Sequence, residues 1–433
     1  MSPHHSSPPP LRQLPRKGAH ALSHHAAPSD RSSIHLLSPI LNHLEPLSAR
    51  VQDILDTQGP ALAPTAQPVR TGGFPDASPS TWSDLKPDQP LLARSIRALL
   101  ASLGLAQDPG DYTGEYPHKE ADFLLALGHD LRKHGLEAEH YGALARALGQ
   151  AGADVLTLDE QAQATLEDAA DLTCHLLALG AQRSTATATR TAEVLDVAEA
   201  YPGDDAAGRP AIGVIRVQES SPQPWWTGQY LDIRTPYGDT QWQYLHPATP
   251  ANPDGLIEFH VRGDTEARRA ILAQAQVGDQ WVLGASYGFL SVDAEDERPV
   301  CMIAQDTGLA PLRALLLELA QRPEPPETAL YVGAGSVAEF YELPSLLGFA
   351  RAWDWLRVVP VAAEAAGIEE LTGTSAELDG LLRVGHAVNA AIRDGAWQDA
   401  RVLVAGSHAQ VTASVDALLA AGADPGQLSV DGA

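Results

Sequence analysis

The stretch Val300–Ala320 reads VCMIAQDTGLAPLRALLLELA, and it decides the fold of the second half of the chain. It opens with a short apolar run, the pattern of a buried parallel strand, and apolar residues at helical spacing follow from Leu309. Thr307 and Gly308 stand where the strand turns into the helix. A glycine at this point lets backbone approach a pyrophosphate at the helix N-terminus, so the pattern predicts a nucleotide-binding α/β domain.

The same alternation of strand and helix continues to the C-terminus. Each predicted strand is a short apolar run, and a segment with helical spacing separates it from the next strand. This order predicts a doubly wound parallel sheet with helices on both faces over residues 298–433. The predicted strands are Val300–Ala304, Ala329–Val332, Leu356–Val361 and Arg401–Val404, and the predicted helices include Leu309–Gln321 and Val411–Ala421.

Residues 211–297 show the pattern of a small antiparallel β-barrel. Short alternating segments are separated by Gly and Pro, which is typical of such barrels. A barrel followed by a doubly wound sheet is a common way to hold two planar cofactors face to face. The barrel strands are predicted at Ala211–Val217, Gln229–Thr235, Ile257–Arg262 and Gln280–Leu283.

The first half of the chain has a different pattern. Residues 1–32 are rich in Pro, Ser and His and are predicted to be a disordered tail. Residues 182–210 pass from a Thr-Ala alternation into an acidic, Gly-rich stretch, which predicts a linker. Between these two segments, residues 33–181 carry apolar residues at helical spacing and are predicted to form an all-α domain. Its clearest helices are predicted at Leu91–Leu100, Tyr141–Leu148 and Asp159–Leu179.

The composition excludes several classes of partner. The formal net charge is −26, which repels phosphate backbones and anionic headgroups, so neither nucleic acid nor a membrane surface is expected. Cys174 and Cys301 lack zinc-type spacing and are flanked by apolar residues, so both are predicted core residues. No apolar run approaches the ~18 residues of a spanning helix, and no signal peptide is recognisable. A cytoplasmic location is therefore expected.

Four ordered motifs of the second half resemble those of ferredoxin-reductase-like flavoproteins. They correspond to that family's Pro-Gly-Gln-Tyr strand, its flavin-binding strand, its nicotinamide pyrophosphate motif and its Cys-Gly-Pro segment. The resemblance implies FAD and NAD(P)H as cofactors, with small molecules as the first partners expected. The matching segments are Trp225–Tyr230, Gln243–Tyr244 with Pro247–Ala248, Thr307–Pro311 and Val404–Ser407.

The resemblance also assigns cofactor binding to residues on both parts of this module. For Gly333 and Gly406, which end predicted strands, a turn without ligand contact is an equal alternative. The set comprises Gln229, Tyr230, Tyr244, Gly288, Ser291, Thr307, Gly308, Gly333 and Gly406.

Several polar groups of the family's motifs are replaced in this chain. Trp242 stands where the flavin motif Arg-x-Tyr-Ser has the arginine that neutralises a flavin phosphate. Gln305 and Asp306 replace a Gly-Gly pair, and Asp306 places a negative charge close to where a phosphate would lie. Further replacements are Leu245 for the serine, Ala405 for the cysteine and Gly335 for an arginine that holds a 2′-phosphate.

The segment Leu127–Tyr141 resembles the part of bacterial flavohaemoglobins that carries the haem-ligating histidine and ends in His-Tyr. Phe74–Pro75 resembles that family's Phe-Pro pair, whose phenylalanine packs on haem. A globin followed by a ferredoxin-reductase-like module is also the flavohaemoglobin domain order. The resemblance therefore implies a globin-like fold for residues 33–181 and assigns cofactor binding to Phe74 and catalysis to Tyr141.

The same alignment puts haem binding in question. It places Leu131 at the iron-ligand position, and leucine cannot coordinate iron. His134 lies one turn away and is either a substitute ligand or an exposed surface histidine, whereas His129 points elsewhere. No residue is assigned to a metal.

These observations leave two main hypotheses and one intermediate. The first is a flavohaemoglobin-like, NAD(P)H-dependent oxidoreductase of nitric oxide dioxygenase ancestry. The second is a catalytically inactive pseudo-enzyme of the same fold that binds, senses or scaffolds, with a protein as its partner. The third is a flavin reductase that has lost only haem. Domain order favours the first hypothesis, and the loss of polar residues favours the second.

Overall fold

The structure is a computed structural model, and its contacts divide the chain into two compact units. The helical unit ends at Ala66 and resumes from Asp76 to Thr189, whereas the sheet unit combines Gln67–Pro75 with the chain from Arg190 onward. The predicted tail over residues 1–32 and the predicted helix Leu91–Leu100 lie outside the described residues. The structure describes residues 43–79, 124–183, 187–238, 242–288, 290–364 and 381–432.

The described part of the helical unit packs its helices around one apolar core. The predicted helices Tyr141–Leu148 and Asp159–Leu179 are confirmed, and the second begins where the Asp159 carboxylate accepts a hydrogen bond from the Ala162 amide at 2.8 Å. Cys174 is buried in this core, as predicted. The long helices are α1 (Leu44–Gln58), α2 (Tyr141–Val155) and α3 (Glu160–Gln182); residues 124–130 are also helical, and 3₁₀ turns span Leu131–His134 and Ala138–His140.

A short antiparallel ribbon departs from the all-α prediction. Strands β1 (Pro64–Ala66) and β2 (Ala77–Pro79) pair within the helical unit. Proline disfavours a helix interior, so this Pro-rich part of the chain adopts an extended backbone that two strands can share. The prediction of an all-α domain was wrong at this point.

The helix over residues 124–130 crosses α3 with backbone packed on backbone. A Cβ atom at Gly128 would lie 2.0 Å from the carbonyl oxygen of Leu177, and one at Gly180 would lie 2.0 Å from that of Leu125. No side chain can be accommodated at that distance. The two glycines therefore set how closely these helices approach.

Strands of the first part of the sheet unit form the predicted antiparallel barrel. The strand order is β6-β5-β8-β3-β4-β7, and a bridge between Pro247 and Phe259 joins the two edges. A helix, α4 (Glu266–Gln274), connects the two barrel strands that come last along the chain, β7 and β8. The strands are β3 (Arg190–Tyr201), β4 (Ile212–Glu219), β5 (Tyr230–Arg234), β6 (Gln243–Leu245), β7 (Leu256–Arg262) and β8 (Gln280–Tyr287).

Strand β3 corrects the predicted linker over residues 182–210. It pairs with both β4 and β8, and its buried residues Ala192 and Val194 alternate with exposed Glu193 and Leu195. This is the period of a half-buried strand. Two of the acidic residues that suggested a linker, Glu193 and Glu199, lie on its exposed positions, so the barrel begins at β3.

The second part of the sheet unit is the predicted parallel sheet, in the order β12-β11-β10-β9-β13-β14. Met302 and Ala304 of the central strand belong to one apolar core, and Cys301 and Ile303 to another, so both faces are covered by helices. Because later strands lie on both sides of β9, the topological switch point falls between β9 and β13. The elements are β9 (Val300–Gln305), α5 (Leu309–Leu319), β10 (Thr328–Ala334), α6 (Leu343–Ala352), β11 (Leu356–Ala362), β12 (Arg383–Val384), α7 (Ala387–Asp394), β13 (Arg401–Gly406), α8 (His408–Ala420) and β14 (Leu428–Gly432).

Residues 67–75 pair with the barrel although their neighbours belong to the helical unit. Val69 exchanges backbone hydrogen bonds with Gln280, and the amide of Thr71 donates to the buried carboxylate of Asp279. Phe74 follows with 81% of its surface exposed. The structure therefore does not place Phe74 in the core of the helical unit, where packing on haem had been predicted, because strand pairing draws this segment to the barrel.

The glycine crossing predicts opposite effects for two Gly-to-Ala substitutions in the helical unit. Gly180→Ala forces a methyl group onto the Leu125 carbonyl and is expected to lower the free energy of unfolding by about 1–3 kcal/mol. Gly142→Ala, on the exposed side of α2, is expected to raise it by about 0.5–1 kcal/mol, because alanine has the higher helix propensity. Urea denaturation followed by circular dichroism measures both. Equal effects of the two substitutions would contradict the packing argument.

Candidate functional site

A crevice lies where the carboxyl ends of the central parallel strands face the barrel. On the sheet side it is lined by the turn that follows β9 and by the end of β13. On the barrel side it is lined by β6, by the end of β7 and by the start of α4. Strand ends at a topological switch point are the usual place for a ligand in such sheets. We call this space the barrel crevice.

A second and larger crevice, of about 520 Å³, also reaches the end of β9. It is lined by the ends of β9 and β10 and by residues of α7 and α8, and we call it the helix crevice. Gln305, Asp306 and Gln410 line both crevices and form a common wall between them. A volume of this size is in the range of small-molecule sites.

Three predicted ligand-contacting glycines are packed against this chain itself. A Cβ at Gly308 would lie 2.2 Å from the carbonyl oxygen of Ala405, so the turn after β9 rests on the backbone of β13. A Cβ at Gly333 would lie 2.2 Å from Oε1 of Gln305, and one at Gly406 would lie 2.8 Å from the Gln305 Cβ. The Gln305 side chain therefore takes up the space above Gly333 and Gly406.

Asp306 adopts a left-handed backbone conformation, with φ at 50°. This region is strained for a residue with a side chain, although aspartate tolerates it better than most. With Thr307 and Gly308 it forms a 3₁₀ turn that leads into α5. Its carboxylate forms an ion pair with Arg262 and accepts a hydrogen bond from Nε2 of Gln410 at 2.7 Å.

The partners of Asp306 come from two different parts of the sheet unit. Arg262 ends β7 of the barrel, and Gln410 lies in the first turn of α8. Ser407 fixes the Gln410 amide, because its own amide and hydroxyl donate to Gln410 Oε1 at 3.1 and 2.8 Å. Sequence reasoning predicted the charge of Asp306 but missed both partners, since no local pattern signals a pairing over such a separation in the chain.

Tyrosines form an aromatic platform on the barrel side. The rings of Tyr230 and Tyr244 meet edge to face at 5.2 Å, and those of Tyr230 and Tyr287 lie 5.8 Å apart. Tyr244 lines the barrel crevice with 46% of its surface exposed, which leaves its ring accessible for stacking. Gln229 is next to the platform, and its side chain donates to the carbonyl of Gly288 at 3.4 Å.

The structure thus brings together Gln229, Tyr230, Tyr244 and Gly288 of the predicted flavin residues. Ser291 follows Gly288 on an exposed part of the chain. A residue that the sequence analysis did not single out, His246, faces the edge of Tyr230 and lies 3.2 Å from the Asp431 carboxylate of β14. This pair joins the barrel to the last strand of the parallel sheet.

A cationic group also reaches the barrel crevice where the flavin-motif arginine is missing. Arg268 lies in the first turn of α4, and its guanidinium donates to the carbonyl of Tyr244 at 3.3 Å and pairs with Asp264 at 3.2 Å. Thr265 caps the same helix by accepting from the Arg268 amide at 3.2 Å. Asp264 and the first-turn residue Glu266 offset the charge of Arg268, so the arginine contributes hydrogen-bond donors at this end of the crevice.

A buried polar cluster fixes the barrel against α5. The Glu258 carboxylate pairs with Arg216 at 2.7 Å, Arg313 at 3.0 Å and His260 at 3.3 Å, and the other ring nitrogen of His260 lies 2.9 Å from the Tyr341 hydroxyl. Burial alone raises the pKa of Glu258, but the hydrogen bond from His260 and the charge of Arg313 outweigh it and lower that pKa to about 2.

In the helical unit, the residues aligned with a haem site pack against protein. Tyr141 is buried, its hydroxyl faces the Gly128 carbonyl at 3.4 Å, and burial raises its pKa. Leu131 belongs to the same apolar core as Tyr141. His129 and His134 are half-buried, and burial lowers the pKa of His129.

In the described ranges, no group of three or more His, Cys, Asp or Glu side chains is arranged to hold a metal ion. No helix there combines the length and apolarity that crossing a bilayer requires.

Comparison with known proteins gives partial relatives for the sequence, and no protein-family profile matches it. A reductase component of terephthalate 1,2-dioxygenase from Comamonas sp is 31% identical over 145 residues, which are 33% of this chain and 41% of the relative. The reductase subunit of an aromatic O-demethylase from Amycolatopsis sp. is 28% identical over 232 residues, or 50% of this chain and 65% of the relative. The chain therefore spans less than two thirds of the length of either relative.

One solved structure resembles the chain over most of its length. A flavohemoglobin from Malassezia yamatoensis aligns with a TM-score of 0.61 at 14% identity and covers 93% of this chain and 98% of its own. At that identity the similarity concerns the fold alone.

The Glu258 cluster predicts a loss of stability in acid. Because the folded pKa lies below the unfolded one, its contribution is fully present above about pH 4.5 and is lost as the pH falls towards 2. We expect this group to account for a decrease in the free energy of unfolding on the order of 3 kcal/mol over that interval. Denaturant titrations at several pH values measure it.

The matched substitutions are Glu258→Gln and, as a control on an exposed glutamate, Glu295→Gln. Glu258→Gln should be less stable than the parent at neutral pH, and the difference should narrow as the pH falls. Glu295→Gln should follow the parent throughout. A constant difference between Glu258→Gln and the parent at every pH would contradict the assigned role.

Proposed function

We propose that the sheet unit is a flavin-binding reductase module of the ferredoxin-reductase type, which takes electrons from a nicotinamide nucleotide. One observation carries the proposal: Tyr244, which packs on the edge of Tyr230, and the strand ends of a doubly wound sheet line a single crevice. That crevice shares a wall with a second one large enough for part of a dinucleotide. Such an arrangement presents one planar cofactor to another.

The barrel crevice itself has a volume of only about 40 Å³, and the side chains around it are of the types that contact a flavin. The exposed ring of Tyr244, supported at its edge by Tyr230, offers a face for the isoalloxazine ring. Arg268 offers hydrogen-bond donors to a phosphate, although it is paired with Asp264 and Trp242 replaces the arginine that the family uses. A bound flavin would supply the chemistry that accepts two electrons from a nicotinamide and releases them singly.

The remaining steps of the mechanism depend on this chain's own side chains. Tyr230 and Tyr244 would orient the ring, and the buried Glu258 cluster holds the barrel in place against α5. The His246–Asp431 pair lies at the edge of the platform next to Tyr230. These roles concern binding and positioning, and none of them requires a residue to act as a nucleophile.

The end of β10 favours a nucleotide without a 2′-phosphate. Gly335 replaces the arginine that would hold such a phosphate, and a Cβ atom there would lie 2.8 Å from Oε1 of Glu339. Arg209 is nearby, but it is already paired with Glu339 at 3.3 Å and with Glu364 at 2.6 Å. The local charge is therefore negative, and we expect NADH to be preferred over NADPH.

Two relatives are named as reductase parts of oxygenase and demethylase systems, which supports a protein as the electron acceptor. The flavohaemoglobin-like fold of the whole chain instead suggests the helical unit as acceptor. Leu131 argues against the second route, because it offers no ligand to iron and is packed in the core with Tyr141. We therefore propose an external acceptor and a helical unit that has a globin-like fold but holds no haem.

A second candidate function is a pseudo-enzyme of the same fold. The side chains of Gln305 and Asp306 favour it, because they occupy the wall that a nicotinamide nucleotide would approach. The two candidates differ in one measurable property, which is the binding and reduction of flavin.

The flavin proposal predicts a spectrum. FAD added to the purified protein should give a bound flavin spectrum that NADH bleaches faster than NADPH. Tyr244→Ala should weaken FAD binding by at least about tenfold, since base–aromatic stacking contributes ~1–3 kcal/mol, whereas Tyr244→Phe should retain most of the affinity. Equilibrium dialysis gives the affinities and stopped-flow absorbance the reduction rates. An absence of FAD binding in the parent would favour the pseudo-enzyme.

The helical unit predicts a negative haem titration. Haemin added to the parent protein should produce no saturable Soret band, because Leu131 fills the ligand position. If a saturable band forms, the proposal is wrong, and its loss in either His134→Ala or His129→Ala would identify the ligand. Absorbance titration of the full chain measures this.

A further inference from the structure

The carboxylate of Asp306 lies at the wall between the two crevices, where positive and hydrogen-bonding groups converge. Arg262 is 20% exposed at its side chain and Asp306 only 9%, so the ion pair is largely removed from water. Gln410 adds a hydrogen bond at 2.7 Å, and its orientation is fixed by Ser407. One guanidinium and one oriented amide thus hold one anionic group.

The backbone around this carboxylate is also arranged for an anion. The chain turns from β9 through Asp306–Gly308 into α5, whose first amides point toward the carboxyl end of the sheet. Gly308 leaves no room for a side chain between this turn and Ala405. A phosphate that entered here would meet the same groups that now hold Asp306.

The backbone conformation of Asp306 is strained for a residue with a side chain. Its φ of 50° lies in the left-handed region, which glycine adopts without strain. Among the residues that the structure describes, Thr71 and Asp399 are the other two non-glycine residues with a positive φ. The contacts with Arg262 and Gln410 therefore hold an aspartate where the backbone would favour glycine.

We infer that Asp306 is a built-in anion that competes with the phosphates of a dinucleotide for Arg262 and Gln410, and so sets a weak affinity for nicotinamide nucleotides. Arg262 belongs to the barrel and Gln410 to α8, so the competing carboxylate also ties the two walls of the barrel crevice together. Entry of a phosphate would displace the carboxylate and release this tie. The inference rests on the proposed function, since it concerns the nucleotide of that reaction.

The test uses the full chain and NAD⁺, with binding measured by isothermal titration calorimetry. Asp306→Gly should bind NAD⁺ at least about tenfold more tightly than the parent, because the competing charge and the strain are both removed. Asp306→Asn, which keeps a hydrogen-bond acceptor and tolerates the left-handed backbone, should fall between the two. Inorganic pyrophosphate should compete with NAD⁺ in Asp306→Gly.

Two further variants separate this inference from general effects. Asp399→Gly relieves the same kind of backbone strain at the opposite end of β13 and should leave NAD⁺ binding unchanged. Arg262→Gln in the Asp306→Gly background should cancel most of the gain, because the phosphate loses its cationic partner. Intrinsic tryptophan fluorescence confirms that each variant is folded before titration.

The inference is overturned if folded Asp306→Gly binds NAD⁺ or pyrophosphate no more tightly than the parent. The FAD titration of the same variants then decides whether the proposed function falls with it. Retained flavin binding would leave the reductase proposal standing with a different nucleotide site, whereas loss of flavin binding in every protein, the parent included, would end both.

Discussion

The turn after β9 packs directly on the backbone that ends β13, and the geometry of both crevices depends on this contact. A Cβ at Gly308 would lie 2.2 Å from the Ala405 carbonyl oxygen, so the contact requires glycine. It brings the ends of the two central strands together at the switch point of the sheet. It also positions Asp306, the first residue of the turn, within reach of both the barrel and α8.

The order of elements in the sheet unit could be predicted because burial leaves a local trace in the sequence. The run Val300–Ala304 is apolar throughout since both of its faces are covered, and the prediction of a buried parallel strand was confirmed. Strand β3 was missed for a related reason. Its exposed face carries acidic residues, and their composition obscured the alternation of Ala192 and Val194 that marks a strand with one buried face.

The contacts that define the candidate site could not be predicted in the same way. Arg262 was visible only as the end of a predicted strand, and Gln410 lay just before the predicted helix Val411–Ala421. Pairing across the fold leaves no periodic signal. The tyrosine platform could be predicted in part, since Tyr230 and Tyr244 lie in motifs with a family resemblance. The His246–Asp431 pair could not be predicted, because it joins the barrel to the last strand of the parallel sheet. The pairing of segment 67–75 with the barrel could not be predicted either, and the structure shows it between Val69 and Gln280.

The residues that replace the family's polar groups share one property, which is that their side chains contact other parts of this chain. Gln305 places its side chain over Gly333 and Gly406, so the glycines that would leave room for a nucleotide now accommodate a glutamine from the same chain. Asp306 neutralises Arg262, which would otherwise be a partly buried cation without a counter-ion. In the helical unit, Leu131 at the ligand position is part of the apolar core.

A fold can keep its cores and turns while its polar sites change, because the packing at these positions is satisfied by the chain itself. Binding of a nucleotide at this wall therefore has to compete with contacts that are already made, and the strength of those contacts is the property that distinguishes a weak reductase from a protein that no longer performs the reaction.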